Sequence, residues 1–124
     1  MHVLIVDDDE DIRVVARMAL ELICGWQVSD VSSGTSAVEQ AAGIAPDVIL
    51  LDAMMPGLDG LSTLRVLTED PTTTHIPVIF LSAKAQSGER RELLDSTARG
   101  LIPKPFDPLQ LGTEIEAILA ATTC

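Results

Sequence analysis

The sequence predicts an α/β fold in which helices cover both faces of a parallel β-sheet. Strand-like and helix-like segments alternate along the 124 residues and make five βα units. Apolar runs such as 3–6 and 48–51 show no polar alternation, which is typical of strands buried on both faces. Alternation of this kind favours parallel strands joined by helical crossovers, and the length fits one domain spanning residues 1–124.

The first half of the chain supplies three strands and two helices. They are predicted at residues 1–6 (strand), 10–23 (helix), 26–31 (strand), 33–43 (helix) and 48–51 (strand). Gly25 is a natural stop for the first helix, because glycine tolerates the left-handed conformation at a helix end. We expect that helix to bury one apolar face, formed by Ile12, Val15, Ala16, Ala19 and Leu22 or Ile23.

The second half continues the alternation. Its elements are predicted at residues 59–69 (helix), 76–81 (strand), 87–97 (helix), 101–102 (strand) and from 107 onward (helix). Asp107 as N-cap followed by Pro108 favours a helix that starts there, with its inward face formed by Leu111, Ile115, Ile118 and Leu119. Pro103 ends the fifth strand and cannot donate to a central ladder, so this strand is predicted at an edge.

Composition excludes several classes of function. A net charge of −11 with scattered basic residues argues against a nucleic-acid surface in this chain. The apolar runs are far shorter than the ~20 residues that a membrane-spanning helix needs. No secretory signal is evident, because charged residues begin at Asp7. Cys24 and Cys124 lack metal-ligand spacing, which favours a reduced, cytoplasmic protein.

Polar side chains follow the carboxyl ends of the predicted strands. They are Asp7, Asp8 and Asp9 after the first strand, Asp52 after the third, Ser82 after the fourth and Lys104 after the fifth. In an open parallel sheet, ligands bind outside these ends. The sequence therefore predicts one site built from acids, a hydroxyl and an ammonium.

The spacing of strands gives this site a chemistry. Neighbouring strands lie ~4.8 Å apart, so Asp7 or Asp8 approaches Asp52 if the first and third strands are adjacent. Close carboxylates repel, and Mg²⁺ removes the repulsion while leaving room for phosphate oxygens. Ser82 lies one strand from Asp52, and Lys104 about 10 Å away across two strands. A carboxylate nucleophile, a divalent cation, a hydroxyl and an ammonium together suit phosphoryl transfer to an aspartate.

Each residue also has a simpler interpretation. The three acids at 7–9 are suited to cap the first helix, and a single Asp such as Asp52 is often only a turn residue. An EF-hand loop starting at Asp7 is excluded, because the required glycine and glutamate are missing. Asp52 follows four apolar residues and precedes no helix, and its joint occurrence with the other strand-end groups favours the functional interpretation.

Four motifs make the chain resemble a known family over essentially its full length. They are Val-Asp-Asp-Asp at 6–9, Leu-Leu-Asp-Ala-Met-Met-Pro-Gly-Leu-Asp-Gly at 50–60, Leu-Ser-Ala-Lys at 81–84 and Lys-Pro-Phe at 104–106. The chain resembles the receiver domain of two-component response regulators. That resemblance implies a flavodoxin-like (βα)5 three-layer sandwich with strand order 2-1-3-4-5. It also implies a cis peptide bond between Lys104 and Pro105.

The resemblance further implies a role for each site residue. Asp52 would be the phosphoacceptor, with Mg²⁺ or Mn²⁺ held by Asp7, Asp8, Asp52 and the backbone carbonyl of Met54. Ser82 and Lys104 would contact the phosphoryl oxygens. Ala83 would leave access to the aspartate, and Met54 and Lys84 would tune the lifetime of the phosphoryl group. Leu101 replaces the aromatic residue that usually relays the signal in this family.

The expected partners are also those of the family. A histidine kinase or histidine phosphotransfer protein would donate the phosphoryl group. The face of the fourth helix, fifth strand and last helix would contact an effector domain, another partner or a second copy. The chain would be free-standing or part of a longer regulator, and no enzyme beyond slow phosphotransfer to itself and autodephosphorylation.

Two other functions remain open from the sequence. One is a receiver-like module that binds partners without phosphorylation, which Leu101 keeps in consideration. The other is a Mg²⁺-dependent aspartyl phosphatase, but Met54 stands where such enzymes place a second acid.

Overall fold

The computed structural model describes residues 1–83, 93 and 96–121. Five parallel strands form one sheet in the order β2-β1-β3-β4-β5. The strands are β1 (His2–Val6), β2 (Gln27–Val31), β3 (Val48–Asp52), β4 (Val78–Ser82) and β5 (Gly100–Pro103). The helices are α1 (Glu10–Cys24), α2 (Gly34–Ile44), α3 (Gly60–Glu69) and a C-terminal helix (Leu111–Ala121). The predicted fold class and strand order are confirmed, and β5 lies at an edge. The predicted fourth helix at 87–97 falls outside the described residues, apart from positions 93, 96 and 97.

Two hydrophobic cores lie on opposite faces of the sheet, because successive strand residues point to opposite sides. One core joins strand residues such as Leu4, Leu51 and Phe80 to α2 and α3. The other joins strand residues such as Val3 and Leu50 to α1 and the C-terminal helix. The three inner strands β1, β3 and β4 therefore bury both faces, which explains their continuous apolar sequences.

Side-chain caps fix the starts of three helices, each shortly after the carboxyl end of a strand. Asp9, Ser33 and Asp59 precede α1, α2 and α3, and each side chain accepts a hydrogen bond from a backbone amide of the first turn. Gly25 ends α1 with φ of 70°, as its position in the sequence predicts. None of the described helices combines the length and apolar character that crossing a membrane requires.

The predicted inward face of α1 is wrong in part. Ala16, Ala19 and Leu20 face the core, whereas the side chains of Leu22 and Ile23 are 77% and 53% exposed. Val15 is also exposed, at 41%. Apolar residues occur almost all round this helix, so its periodicity fits two different stripes. The buried stripe keeps Ala16 and Ala19 of the predicted face and adds Leu20, while Val15 and Leu22 turn to solvent.

The C-terminal helix begins at Leu111, later than the Asp107–Pro108 pair predicted. The Asp107 carboxylate accepts a hydrogen bond from the amide of Leu109, and the Gln110 amide donates to the Asp107 carbonyl. These bonds close a turn over residues 108–110, so the cap signal organises a turn that leads into the helix. Leu111 and Ile115 are buried as predicted.

Candidate functional site

Three carboxylates meet at the carboxyl ends of β1 and β3. The two strands are neighbours, and Val6 pairs with Leu51, so Asp7 and Asp52 emerge at the same level of the sheet. One oxygen from each of Asp7, Asp8 and Asp52 lies within 4.8 Å of the others. Asp7 is fully buried and Asp52 is 5% exposed, whereas Asp8 faces solvent. The structure thus brings together the three acids that the sequence predicted as neighbours.

Lys104 extends over the strand ends to reach this acidic cluster. Its backbone amide donates to the carbonyl of Ser82 at 2.7 Å, which holds the start of the β5–helix loop beside β4. Its Nζ atom lies 2.6 Å from Oδ2 of Asp7 and 3.5 Å from Oδ1 of Asp52. The ammonium therefore reaches β1, one strand further than the sequence predicted. The Lys104–Pro105 peptide bond is cis, as the resemblance implied.

The Asp52 carboxyl has an altered acidity. Burial raises its pKa from the usual 3.8 to about 6, and the negative charge of Asp7 acts in the same direction. The amide of Met54, which donates to Oδ1 of Asp52 at 3.1 Å, and the ammonium of Lys104 oppose this rise in the pKa. Asp52 is therefore a poorly solvated carboxylate that gains from a nearby positive charge.

The other predicted site residues differ in how deeply they are buried near Asp52. Ser82 is buried and follows Leu81, the residue that pairs with Asp52 across β3 and β4. Ala83 is the next residue and is exposed. Met54 contributes the backbone amide described above, and its side chain is 52% exposed. Lys84 lies outside the described residues.

Leu101 lies away from the acidic cluster. It pairs with Phe80 across β4 and β5 and packs, partly buried, against the core on the α2–α3 face. An aliphatic side chain therefore fills the position at which the resemblance led us to expect an aromatic ring.

The sequence alone indicated no role for Gly60, although this residue ends the motif at 50–60. A Cβ atom at Gly60 would lie 2.7 Å from the carbonyl oxygen of Asp52 and 2.7 Å from the Cα atom of Ala53. The start of α3 therefore packs against the backbone of the phosphoacceptor candidate. The signal was the Asp59-Gly60 pair, an N-cap followed by a residue without a side chain.

Arg13 was also missed. Its guanidinium donates to the backbone carbonyl of Asp7 at 2.8 Å. Its position offered a signal, since a basic residue near a helix N-terminus is disfavoured by the helix dipole and needs a local reason. Four acids at residues 8–11 precede it in the chain, with only Ile12 between them and Arg13.

The acidic cluster fits a small divalent cation. All three side chains offer carboxylate oxygens, the ligands that Mg²⁺ prefers, and their oxygens are close enough to share one ion. Asp8 is exposed, so water can complete the coordination, as Mg²⁺ usually requires. The chemistry of the donor set and the buried negative charge thus both favour Mg²⁺.

Comparison with known proteins agrees with this geometry. Residues 3–116 match the family described as the response regulator receiver domain. The response regulator PleD of Caulobacter vibrioides is 39% identical over 119 residues, covering 94% of this chain and 26% of PleD. The transcriptional regulatory protein CseB of Streptomyces coelicolor is 41% identical over 118 residues, covering 95% of this chain and 49% of CseB. The chain thus spans half or less of the length of these relatives.

A solved structure gives the same result at the level of the fold. The response regulator from Desulfuromonas acetoxidans superposes with a TM-score of 0.87 at 28% identity, and the match covers 98% of both chains. The family match extends over most of the chain and includes β1, β3, β4 and β5, the strands that carry the candidate site. The chain therefore belongs to the response regulator receiver family, the signalling domains of two-component systems.

Proposed function

We propose that the chain is a single receiver domain over residues 1–124 that accepts a phosphoryl group on Asp52 and thereby switches a signal. One observation carries the proposal. Asp52 is a buried carboxylate at a strand end, with an oxygen within 4.8 Å of oxygens of Asp7 and Asp8 and with the Lys104 ammonium 3.5 Å away. A buried aspartate among two acids and one lysine has no evident structural use, since its burial costs free energy unless it is compensated.

Asp7, Asp8 and Asp52 would hold Mg²⁺ or Mn²⁺, together with the backbone carbonyl of Met54. When bound, the ion would neutralise negative charge on the carboxylates and on the incoming phosphoryl oxygens. Asp7 is oriented for this role, because its Oδ1 atom accepts a hydrogen bond from the Asp9 amide at 2.9 Å. Asp8 is exposed and accessible to the ion's water ligands.

Asp52 would act as the nucleophile. One of its carboxylate oxygens forms a bond to phosphorus while the bond from phosphorus to the donor's imidazole nitrogen breaks. The electron pair of that bond leaves with the imidazole, which takes up a proton. A pKa of about 6 leaves most Asp52 carboxylates ionised above pH 7, so the nucleophile is present in its reactive form.

Lys104 and Ser82 would stabilise the product. The Lys104 ammonium lies close enough to Asp52 to pair with a phosphoryl group attached there. Ser82 follows the residue that pairs with Asp52, so its hydroxyl is suited to donate to a phosphoryl oxygen. Ala83 adds little bulk beside the acceptor, and Met54 and Lys84 would tune how long the phosphoryl group persists.

The donor would be a histidine kinase or histidine phosphotransfer protein in the cytoplasm. The face of the predicted fourth helix, β5 and the C-terminal helix would carry the change to an effector domain, another partner or a second copy. Leu101 lies on β5 within that face but has no aromatic ring. The domain itself would bind neither nucleic acid nor membrane, and it would catalyse no more than slow phosphotransfer to itself and autodephosphorylation.

Intact-mass measurement after incubation with a small phosphodonor tests this function. We expect the native chain to gain one phosphoryl group in Mg²⁺ and none in a chelator, and Asp52→Asn to gain none. Asp59→Asn is the matched control, because Asp59 is an exposed aspartate at the end of the loop that follows Asp52 and asparagine preserves its helix cap. Equal labelling of Asp52→Asn, or labelling independent of Mg²⁺, would contradict the proposal.

A further inference from the structure

Every polar atom of Asp7 has a partner within the described residues. Its amide donates to the carbonyl of Val31 at 3.2 Å, and its Oδ1 atom accepts from the Asp9 amide at 2.9 Å. Its Oδ2 atom lies 2.6 Å from the Lys104 ammonium. Its backbone carbonyl accepts from Nη1 of Arg13 at 2.8 Å. Arg13 is thus the partner that controls the main chain at the point where it leaves β1.

Arg13 is itself held in place. Its Nε atom lies 3.1 Å from Oδ2 of Asp30 on β2, and its side chain is only 17% exposed. The other carboxylate oxygen of Asp30 pairs with Arg17, which also donates to the carbonyl of Val28 at 2.7 Å. The Arg13 guanidinium therefore bridges β2 and the end of β1 from a fixed position on α1.

The peptide geometry makes this bridge relevant to the acidic cluster. The carbonyl of Asp7 and the amide of Asp8 belong to one planar peptide unit. A hydrogen bond that holds the carbonyl therefore also holds the direction in which Asp8 leaves the strand. Two of the three clustered acids are thus oriented through one contact made outside the cluster.

We infer that Arg13, anchored by Asp30, is a positioning residue that preorganises Asp7 and Asp8 for a divalent cation. The inference rests on the proposed function, because it concerns the same metal site. Arg13 supplies no ligand and touches no reacting atom. It fixes the backbone that carries two ligands, as outer partners of metal ligands do in other proteins.

A purely structural Arg13 would tie α1 to β2 and do nothing else. Arg17 provides the comparison, because it makes the same kind of tie to Asp30 and to a β2 carbonyl. Among the residues that the structure describes, the Arg17 guanidinium donates to Glu21, Asp30 and the carbonyl of Val28, none of which belongs to the acidic cluster. Loss of either arginine therefore removes a similar link between helix and sheet. Only loss of Arg13 also removes the hydrogen bond that fixes the backbone of Asp7 and Asp8.

Calorimetric titration of the full chain with magnesium chloride tests the inference. We expect Arg13→Met to bind Mg²⁺ about 10-fold or more weakly than the native chain, the range typical for outer partners of metal ligands. Arg17→Met should stay within about 3-fold of the native affinity, since its contacts lie outside the site. Arg13→Lys should recover part of the loss, because an ammonium can donate to the Asp7 carbonyl but cannot also bridge to Asp30 as the guanidinium does.

Amide hydrogen exchange without metal gives a second readout. The amides of Asp7 and Asp9 should exchange faster in Arg13→Met than in Arg17→Met, because only the first variant loosens the β1–α1 corner. Asp30→Asn, which weakens the anchor and retains Arg13, should shift Mg²⁺ affinity in the same direction by a smaller factor. It also provides the test should Arg13→Met fail to fold.

The outcomes separate the two proposals. Equal Mg²⁺ affinity in Arg13→Met and the native chain, or an equal loss in the Arg13 and Arg17 variants, overturns the role of Arg13 and leaves the proposed function standing. A native chain that binds no Mg²⁺ overturns both.

Discussion

The Nζ atom of Lys104 lies 2.6 Å from Oδ2 of Asp7, although the two residues follow strands that are separated by two others in the sheet. Asp7 is fully buried and the Lys104 side chain is 13% exposed, so this ion pair has little access to water. The same ammonium lies 3.5 Å from Asp52. One cation thus compensates two acids and connects the edge strand to the middle of the sheet.

Removal of this cation should destabilise the metal-free protein. Lys104→Met leaves the Asp7 carboxylate buried without its charge partner, which typically costs about 3 kcal/mol or more. Arg65→Met is the control, because Arg65 is exposed and exposed charges contribute less than about 1 kcal/mol. Urea unfolding in a chelator at pH 7.5 measures both. Similar losses in the two variants would show that the buried pair has no special energetic role.

The acidity of Asp52 predicts how stability depends on pH. Burial raises its pKa to about 6, so the folded protein holds this proton more tightly than the unfolded chain does. Stability linked to this carboxyl is therefore full below pH 4 and is lost as the pH rises through about 6.

Asp52→Asn should remove this dependence in the metal-free protein. Above pH 6 we expect the variant to be more stable than the native chain by up to about 3 kcal/mol, and the difference should vanish below pH 4. Thermal and urea unfolding across pH 3.5 to 8 provide the measurement. A difference that grows toward low pH would have the wrong sign for a raised pKa.

A methyl group at Gly60 should disturb the acceptor strand. Its Cβ atom would meet the Asp52 carbonyl oxygen at 2.7 Å, so backbone must shift at a cost of about 1–3 kcal/mol. Gly43→Ala is the control, since no atom lies within 4 Å of that Cβ and alanine favours helices by up to about 1 kcal/mol. We expect Gly60→Ala to lose stability and Mg²⁺ affinity and Gly43→Ala to lose neither. Equal behaviour of the two variants would exclude close packing of α3 on the acceptor.

Two leucines of α1 distinguish its buried face from its exposed one. Leu20 is fully buried, whereas Leu22 is 77% exposed. Leu20→Ala should cost about 2–5 kcal/mol through lost burial and a cavity, and Leu22→Ala less than about 0.5 kcal/mol. Chemical denaturation of the two variants side by side checks this. A larger loss at Leu22 would restore the face that the sequence predicted.

Most of the fold was predictable because its signals are local and agree with one another. Continuous apolar strands, capped helices and Pro103 at a strand end all indicate one parallel sheet, and the structure has that sheet. The inward face of α1 was not predictable from periodicity, because apolar residues surround the helix. Its burial depends on which stripe allows close packing, a property of the assembled layers.

The site was predictable in composition and less so in geometry. Strand ends placed Asp7, Asp8, Asp52 and Lys104 at one rim, as parallel topology requires. The reach of Lys104 to Asp7 depends on the loop after β5, which strand spacing does not describe. Arg13 acts through the backbone carbonyl of Asp7. Every residue has such a carbonyl, so the sequence does not indicate which one a side chain contacts.

The position of the phosphoryl group on the chain tests the central claim most directly. After phosphorylation in Mg²⁺, borohydride reduces an aspartyl phosphate and marks that residue permanently. Trypsin cleaves after Arg17 and Arg65, so residues 18–65 carry Asp52 on a peptide separate from Asp7 and Asp8. We predict that the mark lies on this peptide and that fragmentation places it at Asp52. A mark on the N-terminal peptides, or at another residue of 18–65, would contradict the account.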